Sequence, residues 1–208
     1  DMDHGFGFEV SYNYNSLVRN ALKDDLFPHF LENPGFRIVF INRFTFLMNT
    51  LFRPTHVNDV ITNLKWRIEP EVPRHIQRWA GVESFGNPPT TMQEWDAYCE
   101  ELNLFAEKRI PVARQQLRDY FKLGEMIDVT INIESLDMGT LRIENKLLQS
   151  SPWQGKFYKG VPLTLEAKPR TGYRFTGWEG LGVDTDSVII VPESDLTITA
   201  KFNRLNDQ

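Results

Sequence analysis

The spacing of apolar residues changes once along this chain, and no other feature constrains its fold as much. Up to about Leu123 they recur at steps of three and four, the period of a helix face. From about Met126 they alternate, the period of a strand. Gly124 lies at the change and reads as a helix terminator. A chain of 208 residues divided in this way predicts an α+β protein. Residues 1–124 form a helical N-terminal half, and residues 125–208 form a small antiparallel all-β module.

The helical half carries its own punctuation. A short helix capped near Asn15 holds Leu17, Val18, Ala21 and Leu22. Asn33-Pro34 places a cap ahead of a proline at the first helical position. From Phe36 to Phe52 the segment is apolar on nearly every face, which predicts a helix covered on several sides. Pro54 opens a helix whose one apolar face is Val57, Val60, Ile61, Leu64 and Ile68. Pro70 and Pro73 interrupt it, and Val72, Ile76 and Trp79 continue a second stretch. Gly81 to Thr90 reads as a loop. Thr91 with Glu94 fits a capping box, followed by Met92, Trp95, Cys99, Leu102 and Ala106. Pro111 marks a break or a new helix start, and Ala113, Leu117 and Phe121 carry the last helix to its end.

The β half alternates cleanly. Ile127, Val129, Ile131 and Ile133 form one buried row, as do Leu163, Leu165 and Ala167. Leu196, Ile198, Ala200 and Phe202 form another. Asp137-Met138-Gly139 and Thr171-Gly172 read as turns.

Composition narrows the function classes. Hydrophobic residues make up 41% and charged residues 25%, enough for a folded core. A net charge of −5 without a basic stripe argues against nucleic acid as a partner. No apolar run is long enough to cross a membrane. The single cysteine, Cys99, excludes an internal disulfide scaffold and reads as a small core residue rather than a nucleophile. The chain begins DMDHGFG, with no initiator Met and no signal peptide. It is expected to be cut from a longer protein whose N-terminal part carries any export signal.

Few side chains suggest chemistry by spacing alone. His4, His29, His56 and His75 lack zinc-protease spacing. Arg74, His75 and Arg78 read as a solvated helix face with local ion pairs. An Asp-x-Asp-x-Gly start could open a calcium loop, but Tyr12 stands where its bidentate glutamate belongs. Trp153, Phe157, Tyr158, Tyr173, Phe175 and Trp178 form either a core or a sugar-stacking platform, and core is the stronger reading. There is no Gly-x-Ser-x-Gly, so hydrolase chemistry has no support.

Three passages carry a resemblance. The first is Asp1-Met2-Asp3-His4-Gly5-Phe6-Gly7. The second runs from Phe36-Arg37 through Asn42-Arg43-Phe44 and Leu47-Met48-Asn49-Thr50 to Phe52-Arg53-Pro54. The third is Glu69-Pro70-Glu71, Pro73-Arg74-His75-Ile76, Arg78-Trp79, Trp95 and Phe105-Ala106-Glu107-Lys108-Arg109. Together they resemble the helical C-terminal part of CotH-like proteins, the spore-coat atypical kinases. Gly155 to Tyr158, Val161 to Leu165 and Gly172 to Trp178 resemble the divergent B-repeat of bacterial surface proteins.

The resemblance implies an atypical kinase fold and phosphoryl transfer from ATP to protein. It implies that Asp1 and Asp3 hold Mg²⁺ against the nucleotide phosphates, with Gly5 and Gly7 turning the backbone behind them. Mg²⁺ and ATP are then cofactors of the full-length protein only. No catalytic or nucleotide-binding residue is assigned in this chain, since the phosphate lysine, its glutamate and the catalytic loop are expected before Asp1. The partners implied are a protein substrate or surface partner, and a glycan on the β module. The place implied is the bacterial surface or exterior. The alternative is a non-catalytic surface scaffold or adhesion module. The helical half is expected to expose apolar surface, with self-association as its cover.

Overall fold

Asn33 begins the most apolar helix of the chain through its side chain. In the computed structural model the Phe36 N–H donates to Asn33 Oδ1 at 3.1 Å, and Pro34 takes the first helical position. The structure describes residues 6, 11–19, 21–23, 25–82 and 88–205. The helices are α1 (Ser16–Arg19), α2 (Phe27–Glu32), α3 (Pro34–Asn49), α4 (Pro54–Ile68), α5 (Val72–Trp79) and α6 (Met92–Phe121). The strands are β1 (Met126–Ile133), β2 (Gly139–Ile143), β3 (Lys146–Leu147), β4 (Trp153–Tyr158), β5 (Leu163–Pro169), β6 (Tyr173–Glu179), β7 (Ser187–Ile190) and β8 (Leu196–Arg204). The fold is α+β, helical first and antiparallel-rich after, as the sequence predicts.

The chain divides into two compact units. One joins Asp1–Ser16 to Thr50–Gln116, and the other joins Leu17–Asn49 to Leu117–Gln208. The change of apolar texture and these units cut the chain differently, because α3 is grouped with the strands.

In the first unit, α4 starts at Pro54 and α5 follows the turn at Glu69–Glu71, where the prolines require breaks. The start of α6 is held by Thr91 and Glu94. The Glu94 N–H donates to Thr91 Oγ1 at 3.1 Å. The Glu94 carboxylate accepts from the Thr90 N–H and the Thr90 hydroxyl, both at 2.7 Å. Those bonds, the hydroxyl first, hold the Glu94 carboxyl below the usual range. Lys65 of α4 pairs with Asp96 of α6 at 2.6 Å and lies over the Trp95 ring. The apolar face of α4 is left partly open: Val57 and Ile61 are half-buried, but Leu64 is 53% exposed and Ile68 55%, and Trp66 beside them is 74% exposed. Apolar surface in the helical half is therefore exposed among the described residues. The loop expected at Gly81 to Thr90 falls partly outside them, at residues 83–87.

Pro111 does not break α6. The helix runs from Met92 to Phe121 with the proline inside it. The missing amide costs Glu107 its helical acceptor bond, roughly 3 kcal/mol of helix stability in isolation. Buried Ala106 and Ala113 on either side supply tertiary packing that offsets it. Nor does Gly124 end the helix. Lys122 takes the left-handed conformation at φ 55°, and the Leu123 N–H reaches the Arg118 carbonyl at 3.0 Å. That is a Schellman closure with lysine at the left-handed position. Gly124 is small for another reason, since a Cβ there would lie 2.9 Å from the Lys159 carbonyl oxygen.

The second unit holds two four-stranded sheets, ordered β4-β1-β8-β6 and β3-β2-β5-β7. All pairs are antiparallel but one: β1 and β8 run parallel, Ile131 opposite Ile198. The alternating rows read from the sequence face inward, and Val129, Leu163, Leu165 and Ala200 are fully buried. Both sheets share one apolar core, which Phe46 of α3 joins. The sequence pattern predicts cover for α3 on several sides. It is buried along one stripe, Ile41, Asn42, Thr45, Phe46, Met48 and Asn49, while Val39 is 58% exposed. Strand β4 lies against that stripe, while Phe36 and Phe40 pack on Phe27 of α2 and Phe40 also on Phe121, so α3 has several neighbours and still leaves part of its surface open.

Candidate functional site

Asp1 and Asp3, the residues read as metal ligands, lie outside the described residues. The described part of that opening segment is Phe6 and residues 11–19. Phe6 and Tyr12 to Tyr14 of it are gripped by one face of α6.

The grip is built at helical spacing. Phe105, Arg109 and Gln116 stand at positions i, i+4 and i+11 of α6, on one side of the helix. The Phe105 ring packs on Phe6, centroids 5.6 Å apart. Phe6 itself has φ 54°, rare for a residue with a side chain. Arg109 Nη1 donates to the Tyr12 carbonyl at 2.8 Å, the Tyr14 carbonyl at 2.9 Å and Gln116 Oε1 at 3.2 Å. Gln116 Nε2 donates to the Asn13 carbonyl between them at 2.8 Å. Lys108 Nζ lies over the Tyr12 ring at 5.3 Å. Two side chains thus take three successive carbonyls of the segment that follows the Asp-x-Asp pair.

Arg109 is half-buried, and burial pulls its pKa down from the ordinary guanidinium value. Its acceptors are uncharged oxygens. A buried charge is tolerable only when hydrogen-bonded, and each bond to it is worth about 1.5–3 kcal/mol. The grip is therefore tight as well as specific. Sequence reading placed Arg109 inside a family-like passage without giving it a task. The available signal was a long cation on the same helical stripe as Phe105 and Gln116.

The other candidates fall into place without chemistry. Arg74 pairs with Glu71 at 3.0 Å on an exposed surface, and Arg78 lies over the Trp79 ring. Burial raises the Cys99 thiol above its usual range, although nearby Lys65 pulls the other way, so it is no ready thiolate. Most of the aromatic rings of the β half are core, and Tyr173 is half-buried. Trp153 and Trp178 are 5% and 2% exposed, Phe157 and Tyr158 are buried, and Phe175 packs edge-on against Trp178 and Phe202. Those rings are core because a small module has little else to fill it. Among the described residues no three His, Cys, Asp or Glu side chains are gathered to hold a metal. No helix among them is long and apolar enough to cross a membrane.

Comparison with known proteins agrees with this layout. The family model described as CotH kinase protein matches residues 1–112, and that described as divergent InlB B-repeat domain matches residues 150–206. No curated protein and no solved structure matches. The first match spans the opening Asp-x-Asp segment, α1 to α5 and α6 as far as Val112, which takes in Phe105 and Arg109 but not Gln116; this is more than half of the 208 residues, and the chain belongs to the CotH kinase protein family.

Proposed function

We propose that the full-length protein is an exported atypical kinase that transfers phosphate from ATP to a protein. The family match over residues 1–112 carries this reading. In it, Asp1 and Asp3 bind Mg²⁺. The donor set suits that ion, because two carboxylates supply hard oxygens. Bound there, Mg²⁺ would neutralise charge on the phosphoryl group in transfer. Farther along the chain, Phe6 and Tyr12 to Tyr14 are held on α6. By itself this chain would be inactive, since no phosphate lysine, partner glutamate or catalytic loop is assigned in it.

The test is isothermal titration of ATP with Mg²⁺ into three samples: the full-length protein, this chain, and the full-length protein with Asp1→Ala and Asp3→Ala. Binding by the first alone, with phosphate incorporated into protein, supports the kinase. Absence of binding by the unaltered full-length protein rejects it.

A second reading is favoured by the B-repeat match over residues 150–206. The protein would then be a non-catalytic surface scaffold or adhesion module that binds a protein or glycan partner. Removing residues 125–208 from the full-length protein should abolish surface attachment or partner binding. Unchanged attachment and binding would count against this reading.

A further inference from the structure

We propose that a cavity beside the end of α6 binds a phosphate monoester carried on a small apolar body. The inference goes beyond the kinase reading and does not depend on it. The cavity holds about 370 Å³, within the roughly 300–1,000 Å³ usual for small-molecule sites. Its walls come from α2, the first turn of α3 and the end of α6, all within the second unit. Tyr120 to Lys122 lie between the two matched ranges, so neither match covers that wall.

Pro28, Leu31 and Phe121 supply apolar surface. The polar side is made chiefly of donors. Arg37 Nε donates to the Leu31 carbonyl at 3.0 Å, which fixes the guanidinium plane and leaves both terminal nitrogens without a partner among the described residues. The Lys122 ammonium and the Tyr120 hydroxyl have none there either. The Tyr120 ring is held edge-on to Phe121, centroids 4.8 Å apart. The one lining carboxylate, Glu32, is engaged by His29 Nδ1 at 3.3 Å. Of the carbonyls at the two helix ends, that of Leu31 is taken by Arg37 and that of Arg118 by the Leu123 N–H. Two cations and a hydroxyl thus line one space in a chain of net charge −5. A phosphate monoester carries a charge of about −1.5 to −2 and three acceptor oxygens, which matches them. A carboxylate brings one charge and two oxygens, which leaves a cation unmatched.

Lys122 adds an independent observation. It holds the left-handed position at φ 55°, where glycine is the usual and less strained residue. Backbone strain of this kind clusters at ligand-binding positions. Glycine there would relax the backbone and remove one of the two cations.

Isothermal titration of phenyl phosphate into the full-length protein tests the site. The variants are Lys122→Gly, Arg37→Lys and Tyr120→Phe, with Lys168→Ala on β5 as control. Phenyl phosphate should bind, and inorganic phosphate, phenol and benzoate should each bind about tenfold more weakly or worse. Lys122→Gly should weaken phenyl phosphate binding by about tenfold while raising the urea midpoint, so that affinity and stability move in opposite directions. A merely structural lysine would move the midpoint alone. Arg37→Lys should also weaken binding, because an ammonium keeps the charge but loses the planar fork. Tyr120→Phe should weaken it by about threefold, and Lys168→Ala should change nothing. A short peptide bearing phosphotyrosine distinguishes two sources of the ester. Binding tighter than that of phenyl phosphate makes it a protein side chain, and equal or weaker binding makes it a free small molecule.

Unaltered protein that takes up no phenyl phosphate at millimolar concentration overturns the proposal. So does unchanged affinity in Lys122→Gly, or an equal loss in Lys168→Ala, since any surface cation would then serve. Benzoate that binds as tightly as phenyl phosphate overturns the assignment to phosphate.

Discussion

The side-chain amide of Asn49 makes with Lys156 both hydrogen bonds that a neighbouring strand would make. Asn49 Nδ2 donates to the Lys156 carbonyl at 2.9 Å, and the Lys156 N–H donates to Asn49 Oδ1 at 3.0 Å. Lys156 lies on β4, which ends its sheet. An open sheet edge is a liability, and here a helix side chain closes it. Asn49→Ala removes both bonds at a buried position, a cost of about 2–4 kcal/mol. Asn49→Asp should do worse, because a carboxylate cannot donate to the Lys156 carbonyl. Urea denaturation of the three proteins checks this. Alanine and wild type with equal midpoints would show that the pairing contributes nothing.

The same helix should fold and unfold with the β module. Phe46 of α3 stacks on Trp153 of β4, ring planes 10° apart and centroids 6.1 Å apart, inside the core both sheets share. Asn42 adds a bond from Nδ2 to the Pro162 carbonyl at 2.7 Å. Phe46→Ala should cost about 3–5 kcal/mol. The loss should appear at one midpoint in both Trp153 fluorescence and hydrogen exchange of α3. Separate midpoints would make the β module an independent unit.

What the sequence made legible was local. Helix starts at Asn33 and Thr91 are read from neighbours within three residues, and strand rows such as Ile127 to Ile133 from a period of two. What it hid was distant. Asn42, Thr45 and Asn49 read as polar interruptions of an apolar helix, yet Asn49 pairs with a residue 107 positions away. Arg109 has no legible task until Tyr12, 97 positions upstream, is placed beside it. The parallel pairing of β1 with β8 leaves no mark on either strand, since alternation reports which face is buried and not which strand lies alongside. Pro111 reads as a break yet sits inside α6, because propensity is a weak prior against packing.

Glu144 should give the second unit a pH dependence. Burial raises its carboxyl above the usual range, while the Thr164 N–H, donating to Glu144 Oε1 at 2.6 Å, and Asn42 pull it back. The folded state then holds the proton more tightly than the unfolded state does. Stability from this group therefore rises as pH falls through the raised folded value towards the ordinary carboxyl value, and is lost again as pH rises. Glu144→Gln keeps an acceptor for Thr164 and removes the titration. The stability difference between wild type and Glu144→Gln, followed from pH 7 to pH 4, should favour the variant at pH 7 and shrink on acidification. A difference constant over that range would show that the group does not titrate abnormally.

The end of α6 offers a direct contest between two residues. Lys122 holds the left-handed position at φ 55°, where a Cβ is strained, and Gly124 does not have positive φ. Lys122→Gly should therefore stabilise the protein by about 1 kcal/mol, because glycine adopts that conformation without strain. Gly124→Ala should destabilise it by about 1–3 kcal/mol through its approach to the Lys159 carbonyl. That carbonyl belongs to the main chain, and moving it would disturb the Lys159 N–H bond to the Glu125 carbonyl at 2.8 Å. Equilibrium denaturation of the two variants decides the matter. Destabilisation by Lys122→Gly would return Gly124 to the role of helix terminator.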